Sequence, residues 1–284
     1  EPSKKELINF LKFTEKISLQ SGKLLLKYRK NLLSLKVFDK KAQGLVSEAD
    51  LASEKKIIAA IKKSYPNHQI LAEEESYNKD RAGKESHKHY ESTLTWIIDP
   101  LDGTNNFLSG MDYFGISMAL TLNGKPLVAV VYRPATDECF SAYFGGGCFK
   151  KSLMKKSRPG KLYASRNKKK LTEGMLVTGF NSEKGVKDDK EFHVFRRAVQ
   201  NTRGVRRMGS AALDMCYVAQ GIFDGFWEEG LSPWDVAAGS LIATESGVKV
   251  GTYTRDKVDL FAREILVARS PFNIKIRELI KRTS

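Results

Sequence analysis

Trp96-Ile97-Ile98-Asp99-Pro100-Leu101-Asp102-Gly103-Thr104-Asn105-Asn106-Phe107 sets two carboxylates three residues apart, where a buried apolar segment stops. Carboxylate oxygens hold hard cations such as Mg2+. Gly103 and Thr104 follow at once, and exposed backbone N–H groups at a tight turn or helix start hold phosphate. One dodecapeptide thus offers both halves of a metal-dependent phosphate site. The apolar lead, Trp96 to Ile98, reads as a strand.

Two more acidic elements stand at the ends or beginnings of predicted elements. Ile70-Leu71 reads as a short buried strand running into Glu73-Glu74-Glu75. Ser232-Pro233 opens a helix with Asp235 in its first turn, where Ser caps and Pro costs no hydrogen bond. Each also has an ordinary explanation. Asp235 can complete a capping box with Ser232, the three glutamates can be a solvated turn, and Asp99 and Asp102 can be turn formers. Apolar flanks on both sides weigh against a purely solvated turn at Asp99 and Asp102.

Outward from these motifs, residues 4–30 read as a long amphipathic helix carrying Leu7, Phe10, Leu11, Ile17, Leu24, Leu25 and Tyr28. Ser47 opens a second helix with Leu51, Ile58 and Ile61 on one face, ended by Tyr65-Pro66-Asn67. A charged loop is expected from Asn78 to Glu91. Residues 114–122 and 126–132 flank Asn123-Gly124, the pair that favours a type I′ hairpin turn. Gly145-Gly146-Gly147 marks another turn. Strand 175–180, helices 189–201 and 210–220, strand 222–227, strand 264–268 and helix 272–282 follow. This mixture predicts a layered α/β fold rather than a bundle or barrel.

The chain has 284 residues, 41% hydrophobic and 29% charged, which suits a folded protein with a substantial core. A soft boundary is expected near residue 150. Residues 1–150 would form an α+β lobe with most of the acidic motif residues, and 151–284 an α/β lobe with Asp235, the two making one catalytic unit. No apolar run reaches the length of a membrane helix, and the polar start Glu1-Pro2-Ser3-Lys4-Lys5 has no signal-peptide core. Cys139, Cys148 and Cys216 are odd in number and read as reduced buried thiols. A cytoplasmic location without membrane contact is the expectation. Ten of the net fifteen positive charges fall between Lys150 and Lys170, a stretch without an acid. It reads first as a solvated surface, and secondarily as a contact for RNA or an acidic partner. Tyr163 is its one aromatic for bases to stack on.

The upstream Glu-Glu, Asp99-Pro-Leu-Asp-Gly-Thr-Asn-Asn-Phe107 and Trp234-Asp-Val-Ala-Ala-Gly239, in this order, closely resemble the signatures of the inositol monophosphatase family. Its members are Mg2+-dependent, lithium-sensitive phosphomonoesterases. Resemblance runs over roughly residues 7–270. Leu45 to Asp50 looks like the family's early helix-opening motif, and Arg206 to Asp214 and Phe223 to Glu228 look like bacterial members. Ala72 stands where Gly is usual, and Cys148-Phe149-Lys150-Lys151 lacks an expected Asn-Gly turn. The resemblance implies an αβαβα sandwich of the inositol monophosphatase and fructose-1,6-bisphosphatase type, usually as a homodimer.

It also implies a site with two or three Mg2+ ions. Glu73, Asp99 and the carbonyl of Leu101 would hold the first; Asp99, Asp102 and Asp235 would hold the second. The amides of Gly103 and Thr104 would grip phosphate, with Asp102 beside the substrate. Glu228 would face polyol hydroxyls, and Gly209, Ser210 and Ala211 would line the substrate loop. Thr104 and Glu73 would orient the attacking water. The implied substrate is a small phosphorylated polyol such as myo-inositol monophosphate. Related families act on fructose 1,6-bisphosphate, histidinol phosphate or 3′-phosphoadenosine 5′-phosphate, but Asn105-Asn106-Phe107 resembles the inositol and sugar branches. Some bacterial members also bind the transcription machinery. None of His68, His87, His89 and His193 falls in the motifs, which disfavours zinc. With no Cys-x5-Arg loop and no Asp-x-Asp spacing, direct attack by water is preferred over a phosphoenzyme.

Overall fold

The computed structural model describes residues 1–39, 45–78, 93–163, 170–180 and 189–281. Helix α1 (Lys4–Arg29) starts on a Ser3/Glu6 capping box and turns Leu7, Phe10, Ile17 and Leu25 inward. A short hairpin, β1 (Val37–Asp39) with β2 (Leu45–Ser47), leads into α2 (Glu48–Ser64), capped by a box of Ser47 and Asp50. Strand β3 (Gln69–Ala72) runs into α3 (Glu73–Asn78). Then come β4 (Leu94–Asp102), α4 (Thr104–Leu108), β5 (Gly115–Leu122) and β6 (Lys125–Arg133). They are followed by β7 (Glu138–Tyr143), β8 (Gly147–Lys151) and β9 (Gly160–Leu162). Strands β3 to β9 form one sheet in chain order, parallel at β3–β4 and antiparallel thereafter.

A second sheet begins with β10 (Met175–Thr178), α5 (Asp189–Asn201), β11 (Gly204–Arg206) and α6 (Ala211–Gln220). It continues through β12 (Gly225–Glu229), α7 (Pro233–Glu245), β13 (Lys249–Gly251), β14 (Glu264–Ala268) and α8 (Phe272–Lys281). Its order is β11-β10-β12-β14-β13. Helices α1 and α2 cover one face of the first sheet, α6 and α7 lie between the sheets, and α5 and α8 cover the outer face of the second. The layering is αβαβα, as the resemblance implies. The apolar core between the sheets centres on α6 and α7, whose residues are buried nearly all round, so neither helix shows a one-sided pattern.

Several expectations need adjusting. Leu51 faces outward; α2 instead buries Asp50, Ser53, Glu54, Ile57 and Ile61, so its inner face is partly acidic. Strand 222–227 begins only at Gly225, because Gly221 takes a left-handed C-cap that ends α6 and leaves Ile222 exposed. Asn123 and Gly124 do take positive φ, 53° and 70°, in the β5–β6 turn. The three cysteines are free and buried. Of the basic run, Lys150 is paired with Glu138 and Lys151 with Glu15, the latter at 2.6 Å; residues 164–169 lie outside the described residues. So does the charged loop expected from Asn78 to Glu91, beyond Asn78. Among the described residues no helix is long and apolar enough to cross a membrane.

Candidate active site

In a regular strand, residues three apart point to opposite faces. Asp99 pairs with Ser117 and Asp102 with Gly115, so three steps along β4 match two along β5. That extra residue is a β-bulge, at Pro100-Leu101, where Pro has no N–H to give the ladder. The bulge turns both aspartates to the same side. Asp99 Oδ1 then accepts the amide of Leu101 at 2.9 Å.

Gly103, at φ 90°, is the N-cap of α4, and no side chain caps that helix. A Cβ there would lie 3.1 Å from the Tyr113 carbonyl and 3.2 Å from that of Gly209, so only glycine combines this turn with that approach. Thr104, the first residue of α4, sends its hydroxyl to Asp50 Oδ1 at 2.8 Å and to the Leu101 carbonyl at 3.0 Å. Asp50 is itself held by the Ser47 hydroxyl and amide. Asn106 donates to the carbonyls of Tyr113 at 2.7 Å and Met208 at 2.8 Å, tying this motif to the turn before α6.

From that turn, Ser210 donates to Asp102 Oδ2 at 2.6 Å and the Ala212 amide adds a bond at 2.9 Å. Ser210 occupies the N-cap position of α6 but spends its hydroxyl on Asp102 rather than on the helix. Asp235 does complete a capping box with Ser232, accepting its amide at 2.7 Å, while also facing the cleft. Glu54 on α2 accepts the amide of Glu74 at 2.8 Å.

These elements enclose a cleft of about 230 Å3. Of the eleven residues singled out from sequence, nine line it: Glu73, Asp102, Gly103, Thr104, Gly209, Ser210, Ala211, Glu228 and Asp235. Asp99, only 2% exposed, and Leu101 lie behind the lining. Asp50, Glu54, Asn106, Phe180, Arg207 and Arg263 were not singled out. Asp50 had a legible signal, its place three residues after a Ser cap; the others owe their positions to distant chain segments.

Burial pushes Asp99 well above the ordinary carboxylate range, and the charges of Glu73, Asp102 and Asp235 add to the rise. Burial also lifts Asp102 to about 6 against the bonds from Ser210 and Ala212. Glu228 is raised by burial, then by Asp214 and Asp235, with Arg207 opposing. Among the described residues no three carboxylate, imidazole or thiolate side chains converge at metal-ligand spacing; Asp99, Asp102 and Asp235 each turn an oxygen to a backbone amide. The donor set nevertheless suits a hard divalent cation. It is all oxygen, and like charges forced together in a buried place are relieved by positive charge.

A family model described as the inositol monophosphatase family matches residues 6–282. The chain is 37% identical over 236 residues to a Pseudomonas aeruginosa protein named Nus factor SuhB, covering 82% of each. It is 38% identical over 228 residues to inositol-1-monophosphatase of Rhizobium meliloti, covering 80% of this chain and 79% of that one. The solved structure of extragenic suppressor protein suhB from Bartonella henselae superposes with a TM-score of 0.82 at 31% identity, covering 96% of this chain and 99% of that one.

Proposed function

The chain belongs to the inositol monophosphatase family, and we propose that it is a Mg2+-dependent phosphomonoesterase acting on a small polyol or sugar phosphate, myo-inositol monophosphate first among them. The observation that carries this reading is the crowding of Glu73, Asp102 and Asp235 in one cleft, with Asp99 buried directly behind them, beside the uncapped start of α4. The carboxylates of Asp99 and Asp102, buried and pushed up by that burial and by neighbouring acids, are costly unless a cation or a proton offsets them.

Glu73, Asp99, Asp102, Asp235 and the Leu101 carbonyl are the groups that would hold Mg2+. When bound, such cations make a water more acidic and offset negative charge on the phosphate. The chain's own groups do the rest. The amides of Gly103 and Thr104 bind and orient the phosphate. Glu73 accepts the proton from the attacking water. The Thr104 hydroxyl, steadied by Asp50, fixes the direction of approach. Glu228 accepts hydrogen bonds from polyol hydroxyls. Holding the reactants in this geometry removes much of the entropic barrier.

The test is a phosphate-release screen with Mg2+ over inositol 1-phosphate, fructose 1,6-bisphosphate, histidinol phosphate and 3′-phosphoadenosine 5′-phosphate. Release from a polyol or sugar ester supports the reading; turnover of the nucleotide alone would replace its substrate class, and no turnover of any would overturn it. A second reading, contact with the transcription machinery, is favoured by the similarity to proteins named Nus factor SuhB. Replacing Lys168, Lys169 and Lys170 with Gln should then abolish a salt-sensitive RNA association while leaving catalysis unchanged.

A further inference from the structure

Strand β10 pairs in parallel with β12, setting Val177 beside Phe226 and Thr178 beside Trp227. The Thr178 hydroxyl donates to the Trp227 carbonyl at 2.6 Å and fixes the end of the pairing. Val177 and Phe226 both belong to the core between the sheets. Side chains alternate along a strand, so residues 179 and 228, two positions further on, share that inner face. There Gly179 and Glu228 both line the cleft.

Side chains of a sheet stand roughly perpendicular to it. The Glu228 carboxylate instead lies sideways across the end of β10. A Cβ at Gly179 would be 2.1 Å from Glu228 Oε2 and 2.2 Å from both Cδ and Oε1, far inside van der Waals contact. The backbone at Gly179 is outside the left-handed region, so conformation does not call for glycine; room for the carboxylate does. Gly225 and Gly239 also make room for neighbours, but these are Ile276 and Met215, where the gain is apolar packing. Gly179 makes room for an acid, whose close approach to the backbone costs hydration. Asp99, Asp102 and Asp235 each give an oxygen to a backbone amide. Among the described residues no amide or side-chain donor takes up the Glu228 carboxylate, and Arg207 acts on it through space alone. Its oxygens are left for a ligand, and its sideways pose leaves the space above it for the ligand's carbon skeleton.

We infer that Gly179 is a specificity-determining residue: its missing side chain lets Glu228 lie across β10, so that the cleft admits a hydroxylated ring and offers the carboxylate to its hydroxyls. This rests on the phosphatase reading for the ester bond that is cleaved and concerns only the alcohol that carries it. A side chain at residue 179 would drive the carboxylate up into the space the ring needs.

The test compares inositol 1-phosphate with cyclohexyl phosphate, the same ring without the other hydroxyls, in kcat/KM with Mg2+. The two corresponding phosphonates, which resist hydrolysis, are compared in calorimetric affinity under the same conditions. Hydrogen bonds to a charged group correspond to about tenfold or more, so the wild type should prefer the hydroxylated member of each pair by about that factor. In Gly179→Ala the preference should shrink to about twofold or less. Glu228→Ala should lose as much. The double variant should bind the inositol phosphonate as Glu228→Ala does, because residues that act through one contact are not additive. A further loss of about fivefold or more in the double variant, or a preference unchanged in Gly179→Ala, overturns the proposal. If Gly179→Ala melts too low to assay, Gly179→Ala combined with Glu228→Asp is compared with Glu228→Asp alone. The shorter side chain clears the added methyl, so equal preference supports the proposal and a lost preference overturns it. Turnover by the wild type without calorimetric preference defeats the role of Gly179 alone; a preference lost in Gly179→Ala, without turnover of any ester by the wild type, defeats the phosphatase reading alone.

Discussion

Replacing Glu54 with Gln should make the metal-free protein more stable at pH 8 and leave it nearly unchanged at pH 4.5. Glu54 is buried on α2, and its carboxylate accepts the Glu74 amide. Burial pushes it from 4.5 up to about 7, the Glu74 amide opposes the rise, and the charge of Glu73 adds to it. An acid raised in this way is most favourable to folding when protonated. Its contribution is fully present below the unfolded value near 4.5 and is lost as pH rises through about 7. At about 1.4 kcal/mol per pKa step, the loss is about 3 kcal/mol. Glutamine keeps a neutral acceptor for the Glu74 amide, and the value of about 7 already includes that amide's pull toward the charged form. The variant should therefore gain about 3 kcal/mol at pH 8, or about 6 °C in Tm for a chain this long. Urea and thermal melts in EDTA between pH 4.5 and 8 read this directly, and subtracting the two curves isolates Glu54 from Asp99 and Asp102. Parallel stability curves, or a variant less stable at pH 8, would refute the reasoning.

Asp99→Asn should lower kcat by about a hundredfold or more while the protein stays folded by circular dichroism; a variant keeping above about a tenth of wild-type activity would remove Asp99 from the proposed ligand set. EDTA should abolish activity, Mg2+ should restore it, zinc alone should not, and lithium should inhibit. Full activity after chelation would end the magnesium assignment. Asn106→Leu strips the Tyr113 and Met208 carbonyls of their donor, at about 1–3 kcal/mol for each buried group left unpaired. Its Tm should fall by about 4 °C or more, and a melt unchanged within about a degree would show that other partners take over.

The features legible in the chain are those written within a few residues. The capping boxes at Ser47 and Ser232, the Asn123-Gly124 turn and the run from Trp96 to Phe107 all depend on local backbone chemistry. The resemblance extended this to the layering and the acidic set. Strands β7, β8, β9, β11 and β13 carried no pattern strong enough to name: β7 is buried along most of its length, which removes the alternation, and the other four are too short to show one. Tertiary structure decided the rest. The bulge at Pro100-Leu101 brings Asp99 and Asp102 to one side through pairing with β5. Thr104 meets Asp50 across 54 residues, Asn106 reaches Met208 across 102, and Ser210 reaches Asp102 across 108. Arg263 comes to line the cleft where its carbonyl accepts the amides of Gly230 and Leu231 from the loop that leads into α7. Local preference acts through neighbours three or four positions away. Bonds that span a hundred residues exist only once both sheets have packed around α6 and α7, and no periodicity along the chain records them.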